Sequence, residues 1–161
     1  MGAGPTMPTV RRTPILSVAY AAVLAACLAG CTSVTGPVRE METAQRRWGD
    51  HGPADYQVTV TRACECLPAM TGPVRVTVRA GLVTARQYVT TGEAVATEVT
   101  ELFPSVPELF ELVADAHRRG AADVNVTYDP VLGYPVRIAV DYDATMADDE
   151  VVYSVRDLQP L

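Results

Sequence analysis

The sequence predicts an α+β fold, a mostly antiparallel sheet of about five or six strands with one main helix packed on one face and a short N-terminal helix. The first observation is a series of short segments in which apolar and polar residues alternate, which is typical of half-buried strands. The second is that turn-forming residues separate several of these segments closely enough for antiparallel pairing. The third is a capped segment with helical spacing of its apolar residues, which would cover the apolar side of the sheet.

Residues 1–30 are predicted to be a leader that is removed. Arg11 and Arg12 precede residues 15–30, which carry no charge and are too short and Ala-rich for a transmembrane helix. A positive region before a short apolar one is typical of a secretory signal peptide. Residues 28–31 are Leu-Ala-Gly-Cys, which resembles the lipobox of bacterial lipoprotein precursors. The resemblance implies cleavage before Cys31 and attachment of a diacylglycerol to its thiol.

This leader predicts the location of the protein. Two or more acyl chains, such as palmitate, hold a protein stably on a bilayer. We therefore expect a lipoprotein anchored at the extracytoplasmic face of the bacterial cell membrane or envelope, with the membrane as partner through its N-terminal lipid. Residues 31–37 would form the lipidated cysteine and a flexible tether. Residues 38–161 would form a single globular α+β domain.

The net charge of the chain and the absence of known catalytic motifs argue against nucleic-acid binding and against an enzymatic function. The net charge is −6, none of the 13 basic residues is lysine, and without Arg11 and Arg12 there remain 11 arginines against 19 acidic residues. Such an acidic surface argues against nucleic acid as a partner. The chain has two histidines and lacks G-x-S-x-G, H-E-x-x-H and a phosphate-binding glycine loop. We expect a protein that is not an enzyme and needs no cofactor; its oligomeric state stays open.

The N-terminal helix is predicted over residues 38–48, followed by a strand near residues 55–62. Trp48 would dock this helix on the sheet. At helical spacing, one face of this helix comprises Met41, Ala44, Gln45 and Trp48. The strand would turn Tyr56, Val58 and Val60 inward.

A hairpin is predicted around Ala80 and Gly81, because glycine accepts the positive φ of the turn. The two-residue turn would place Val78 opposite Val83 and Val76 opposite Ala85 on the inner side. Residues 90–102 are ambiguous between a short strand and a bend.

The main helix is predicted at residues 106–119. Ser105 and Glu108 form a capping box at its start, and Gly120 ends it. Three further strands are predicted near residues 123–128, 135–142 and 150–156. The apolar stripe of the helix comprises Val106, Leu109, Phe110, Val113 and Ala116 or His117.

Six features resemble a family of small bacterial lipoproteins and secreted proteins that is classified only as a domain of unknown function. They are Trp48, the pattern Y-x-V-T-V-T-R-x-C-x-C at residues 56–66, and the segments PVRVTVRAGLV, ELFELV, YDPVLGYP and ADDEVVYSV. The resemblance spans nearly all of residues 48–155. It implies the domain boundaries and supplies no activity.

The strand alternation also predicts a basic outer face on the sheet. Arginine binds carboxylate and phosphate groups bidentately, so such a face would suit an anionic envelope component, a lipid headgroup or a protein. The simpler alternative is the polar, solvated face that antiparallel sheets commonly have. The arginines of this face would be Arg75, Arg79, Arg86, Arg137 and Arg156.

Cys64 and Cys66 are predicted to form a disulfide. Paired thiols usually oxidise outside the cytoplasm, and a lipidated Cys31 leaves them as the remaining pair of the mature chain. A fully extended strand would hold their Cα atoms about 6.5 Å apart, at the far limit for a disulfide. The chain must therefore bend between them.

Two other functions for this pair stay open. Thiol exchange would need a nearby cation, and Arg62 is the evident one. Cu(I) binding would use Cys64, Cys66 and Met70, which are soft ligands.

The acidic loop at residues 141–150 resembles an EF-hand only at its start. Met146 stands where glycine is required and Val152 where glutamate is required, so that motif fails. A looser cation site would use Asp148, Asp149 and Glu150, whereas a solvated loop is the preferred interpretation.

These observations predict a lipid-anchored, extracytoplasmic protein with a binding or structural role. The alternative is a small redox or soft-metal (copper) lipoprotein that uses Cys64 and Cys66.

Overall fold

The computed structural model describes residues 1, 2, 4, 35–146 and 150–161. Cys31, nearly all of the predicted leader, and Asp148 and Asp149 lie outside these residues. One compact unit comprises residues 36–161. Within the described ranges, no helix is long and apolar enough to cross a membrane.

Two helices and six strands build this unit. The helices are α1 (Thr35–His51) and α2 (Val106–Arg119). The strands are β1 (Tyr56–Ala63), β2 (Val74–Arg79), β3 (Leu82–Tyr88), β4 (Asp123–Tyr128), β5 (Pro135–Asp141) and β6 (Glu150–Pro160). Short 3₁₀ helices cover Pro68–Met70 and Thr97–Leu102.

The strands form one antiparallel sheet in the order β3–β2–β1–β6–β5–β4. The predicted α+β class is confirmed, and the sheet has six strands. The N-terminal helix is the longer one, with 17 residues against 14, so the distinction between one main helix and a short N-terminal helix does not hold. It begins at Thr35, inside the segment predicted to be a flexible tether.

The core lies between one face of the sheet, the inner face, and the two helices. Helix α1 contributes Met41 and Ala44, whereas Gln45 is exposed. The Trp48 ring lies edge-on to Tyr56, with ring centroids 5.4 Å apart, which confirms that Trp48 docks α1 on the sheet. The buried stripe of α2 is Val106, Leu109, Phe110, Val113 and Ala116, as predicted.

The β2–β3 hairpin differs from its predicted register. Val78 lies opposite Val83 as predicted, and Ala80 and Gly81 adopt φ of 49° and 77°. A bulge then shifts the pairing between Thr77 and Val78, so Val76 lies opposite Arg86 and not opposite Ala85. The prediction for Val76 is wrong because an extra residue in one strand reverses the side that later residues face.

Candidate functional sites

The face of the sheet opposite the helices, the outer face, carries the first candidate site. Arg75, Arg137 and Arg156 are exposed on it, whereas Thr59 is only 6% exposed. Thr59 of β1 lies opposite Arg75 of β2 and also opposite Arg156 of β6. Directly opposite side chains begin about 5 Å apart, so the two arginines flank Thr59.

These three residues line a groove of about 290 Å³. Among the described residues, Arg75 has no ion-pair partner, whereas the Arg156 Nε lies 3.7 Å from an oxygen of Asp157. That pair is largely exposed and therefore contributes little to stability. The other residues that line the groove are Gln57, Val58, Val89, Asp157 and Gln159.

Two more of the predicted arginines lie on or near this face. Arg137 of β5 is opposite Ser154 of β6, and Ser154 is two residues from Arg156 along β6. Arg79 lies at the β2–β3 turn, 4.0 Å from the carboxylate of Asp55. Arg137 therefore adds charge near the groove, and Arg79 is partly neutralised at the end of the sheet.

Arg86 does not belong to this group. Its Nε donates to the carbonyl of Phe103 at 2.7 Å, and its Nη2 donates to Glu108 at 3.0 Å. Only 16% of its side chain is exposed. The prediction that Arg86 lies on the outer face is wrong, because the extra residue of β3, Thr84, is unpaired between Val83 and Ala85 and turns Arg86 toward the inner face.

Arg86 instead supports the start of α2. The Ser105 N–H donates to the Glu108 carboxylate at 2.6 Å, which confirms the capping box. Burial favours a higher pKa for Glu108, but the hydrogen bonds from Ser105 and the charge of Arg86 outweigh it, so this pKa is lowered. The network ties β3 to α2 and has a structural role.

The second candidate site is the cysteine pair at the end of β1. The Cys66 N–H donates to the Cys64 carbonyl at 2.8 Å, which closes a three-residue turn around Glu65. The turn brings the two Cα atoms to 5.3 Å and the two sulfur atoms to disulfide-bonding distance. The chain thus makes the bend that the predicted pairing requires.

Arg62 contacts both sulfur atoms. Its Nη1 lies 2.8 Å from the Cys64 sulfur and 3.4 Å from the Cys66 sulfur. Arg62 is opposite Tyr153 on β6. Burial raises the pKa of Tyr153, and the charge and hydrogen bonding of Arg62 oppose this rise. The sequence held a signal for this arrangement, since Arg62 continues the even-numbered inward series of β1.

The predicted metal sites receive no support from geometry. The described residues contain no group of three or more His, Cys, Asp or Glu side chains placed to hold a metal ion. Met70 ends the 3₁₀ helix that follows the cysteine turn. Of the acidic trio, only Glu150 is described; it begins β6 opposite Asp141. The Cu(I) and cation sites stay predictions.

A larger groove of about 640 Å³ lies between α1 and the edge strand β4 and was not predicted. Arg39, Glu40 and Arg47 line it on the helix side, and Val126 and Tyr128 on the strand side. No sequence pattern marks it, because it depends on the distance between two elements that are far apart along the chain.

The fold and these sites define a small α+β domain with a basic sheet face and a paired C-x-C turn. The model of DUF6174, a family of unknown function, matches residues 40–160, and the chain belongs to this family. The match includes most of α1 and every later element. No curated protein and no solved structure matches the chain.

Proposed function

We propose that this protein is a lipid-anchored lipoprotein on the extracytoplasmic side of the bacterial envelope, without enzymatic activity, that binds an anionic group on its outer sheet face. The observation that carries the proposal is the groove in which Arg75 and Arg156 flank Thr59. In a chain of net charge −6, an arginine pair with one exposed carboxylate nearby concentrates positive charge.

The chemistry of the groove suits a carboxylate or phosphate group of an envelope component. Two neighbouring strand spacings place the backbones of Arg75 and Arg156 about 10 Å apart, and their long side chains can converge on one anion from both sides. Thr59 lines the groove between them but is largely buried, so the two guanidinium groups carry the contact. Asp157 opposes binding, so the ligand must interact with the two guanidinium groups more strongly than Asp157 repels it.

Calorimetric titration with inorganic polyphosphate and with polyglutamate tests this proposal and separates the two anion types. Arg75→Gln and Arg156→Gln should each weaken binding by about fivefold or more, since each removes one charge-assisted contact. Arg79→Gln is the matched control, because Arg79 already pairs with Asp55. Wild-type protein that binds neither polymer, or an equal loss in the control, would contradict the proposal.

The lipid anchor has its own experiment. Cells that express the full chain are grown with a radioactive fatty acid, and the protein is then isolated. Wild-type protein and the control Cys27→Ala should be labelled, whereas Cys31→Ala should not. An unlabelled wild type or a labelled Cys31→Ala protein would refute the anchor.

A second candidate function is redox or soft-metal handling at Cys64 and Cys66. The contact of Arg62 with both sulfur atoms favours thiol exchange, because a fixed cation stabilises a thiolate and repels a second cation such as Cu(I). Intact mass with and without reductant, with metal analysis, tests the pair. A gain of two hydrogens on reduction without bound metal supports a disulfide, and two free thiols in oxidising buffer refute it.

A further inference from the structure

We propose that Arg62, Cys64 and Cys66 form a thiol–disulfide exchange site that oxidises a pair of thiols on a protein or peptide, and that Cys64 leaves as a thiolate held by Arg62. This inference rests on the second candidate function: it gives the protein an exchange activity in place of the non-enzymatic role proposed above, and it is independent of the anion-binding groove. It assigns different roles to the two sulfur atoms.

The position of Arg62 makes the two sulfur atoms unequal. Its Nη1 is closer to the Cys64 sulfur, at 2.8 Å, than to the Cys66 sulfur, at 3.4 Å. A guanidinium remains protonated at any physiological pH, so this contact can stabilise negative charge whenever the disulfide opens. The thiol that is better stabilised as a thiolate is the better leaving group.

The surroundings of Arg62 support this role. Its Nε is buried and has no hydrogen-bond partner in the described part of the chain. An arginine held only for structure would ordinarily have its buried N–H groups paired. A thiolate at Cys64 would place a full negative charge against Nη1 of the same delocalised guanidinium, where the disulfide offers only a weak sulfur acceptor.

The reaction balances with the substrate as electron donor. A substrate thiolate attacks the Cys66 sulfur; a mixed disulfide forms, the Cys64–Cys66 bond breaks, and its electron pair goes to Cys64. The second substrate thiolate attacks the substrate sulfur of the mixed disulfide and releases Cys66. The substrate loses two electrons and two protons, and the pair becomes a dithiol. A disulfide-bearing oxidant would restore the pair.

The position after Cys66 suits contact with a polypeptide. Leu67 directly follows Cys66 and is 71% exposed, so its side chain is accessible to a polypeptide beside the sulfur that is attacked. Glu65 is exposed, so solvent screens its charge. Burial keeps the phenol of Tyr153 neutral by raising its pKa. The charged and titratable groups near the pair or its arginine include Glu65, Tyr153, Tyr142 next to Tyr153, and Glu150, which begins β6 two residues before Val152, the partner of Ala63.

The first experiment measures thiol pKa values in the full chain carrying Cys27→Ser and Cys31→Ser. With Cys66→Ser added, the ultraviolet absorbance of the thiolate titrates Cys64 alone. We expect a pKa below about 7.5, against about 8.5 for a free cysteine. Arg62→Gln should restore about 8.5, Arg62→Lys should keep part of the shift, and the control Arg79→Gln should change nothing. A Cys64 pKa of about 8.5 with Arg62 present overturns the inference.

The second experiment follows oxidation of a peptide with two cysteines by mass spectrometry. Arg62→Gln should slow its oxidation by about tenfold, with partial recovery in Arg62→Lys. A peptide with one cysteine should be trapped on Cys66, and an adduct mainly on Cys64 overturns the assignment. If oxidation proceeds equally in both Arg62 variants, the inference fails while the exchange function stands. If the wild type oxidises no peptide, both fail.

Discussion

Gly133 shows how one backbone position allows α1 to approach the sheet. This residue follows β4 in the loop to β5 and adopts φ of 86°, a backbone conformation that residues other than glycine rarely adopt. A Cβ atom at this position would overlap the carbonyl oxygen of Ala44 and lie 3.0 Å from the Cβ of Arg47, both on α1. The helix therefore lies against bare backbone.

This contact predicts a large effect for Gly133→Ala. We expect a loss of about 3 kcal/mol in the free energy of unfolding, because the substitution combines left-handed strain with a clash against helix backbone. The control Gly92→Ala has a similar φ of 75° and open space around it, so strain alone should cost about 1 kcal/mol. Urea denaturation measures both. Equal losses would show that α1 is not held against Gly133.

The cysteine turn shows how far residue types predict a site. Alternation along β1 placed Cys64 and Cys66 on one side, and the distance limit for a disulfide predicted a bend between them; the chain does turn there. The distances from Arg62 to the two sulfur atoms were not predictable from the sequence. They depend on how the cysteine turn folds back over the side chain of Arg62, which lies on β1. Arginine at an inward position beside paired cysteines was the available signal.

At the scale of elements, the sequence predicts periodic features and misses single-residue irregularities. The six strands, the capped start of α2 and its buried stripe all follow from alternation, spacing and a capping pair. The bulge at Thr77 and Val78 has no such signature, because apolar and polar residues alternate through it. One inserted residue therefore turned Arg86 away from the outer face and toward Glu108, which belongs to the capping box of α2. Arg75 and Arg156 kept their predicted sides.

Glu108 makes this cap sensitive to pH. Its pKa in the folded protein lies below that in the unfolded chain, so the ionised side chain stabilises the fold above the unfolded pKa. This contribution is lost as the pH falls through the folded pKa. Because 51% of the side chain is exposed, the charge contributes about 0.5 kcal/mol.

We therefore expect Glu108→Gln, which can still cap the helix, to lower stability by about 0.5 kcal/mol at neutral pH. The difference from wild type should close on acidification below the ordinary titration range of glutamate. Chemical denaturation across pH measures it. Glu111→Gln, an exposed position on the same helix, should show no such trend. A difference that widens in acid would contradict the direction of the shift.

Across the described domain, the single sheet consists of two three-stranded meanders. Strands β1–β3 form the first, β4–β6 form the second, and the pairing of β1 with β6 joins them. Trp48 spans the same junction, since its ring lies near Tyr56 of β1 and 6.0 Å from Tyr134, which precedes β5. The shared core therefore favours unfolding as a single unit.

A substitution at Val155 tests whether the two meanders unfold together. It is 4% exposed on β6 and lies opposite Val60 of β1, so Val155→Ala should cost about 2 kcal/mol. Val89→Ala, at a position that is 41% exposed, should cost less than about 0.5 kcal/mol. Fluorescence of Trp48, the single tryptophan, should give the same midpoint in urea as backbone circular dichroism in all three proteins. Separate midpoints would show that the two meanders unfold independently, because a change at their junction would then affect one signal before the other.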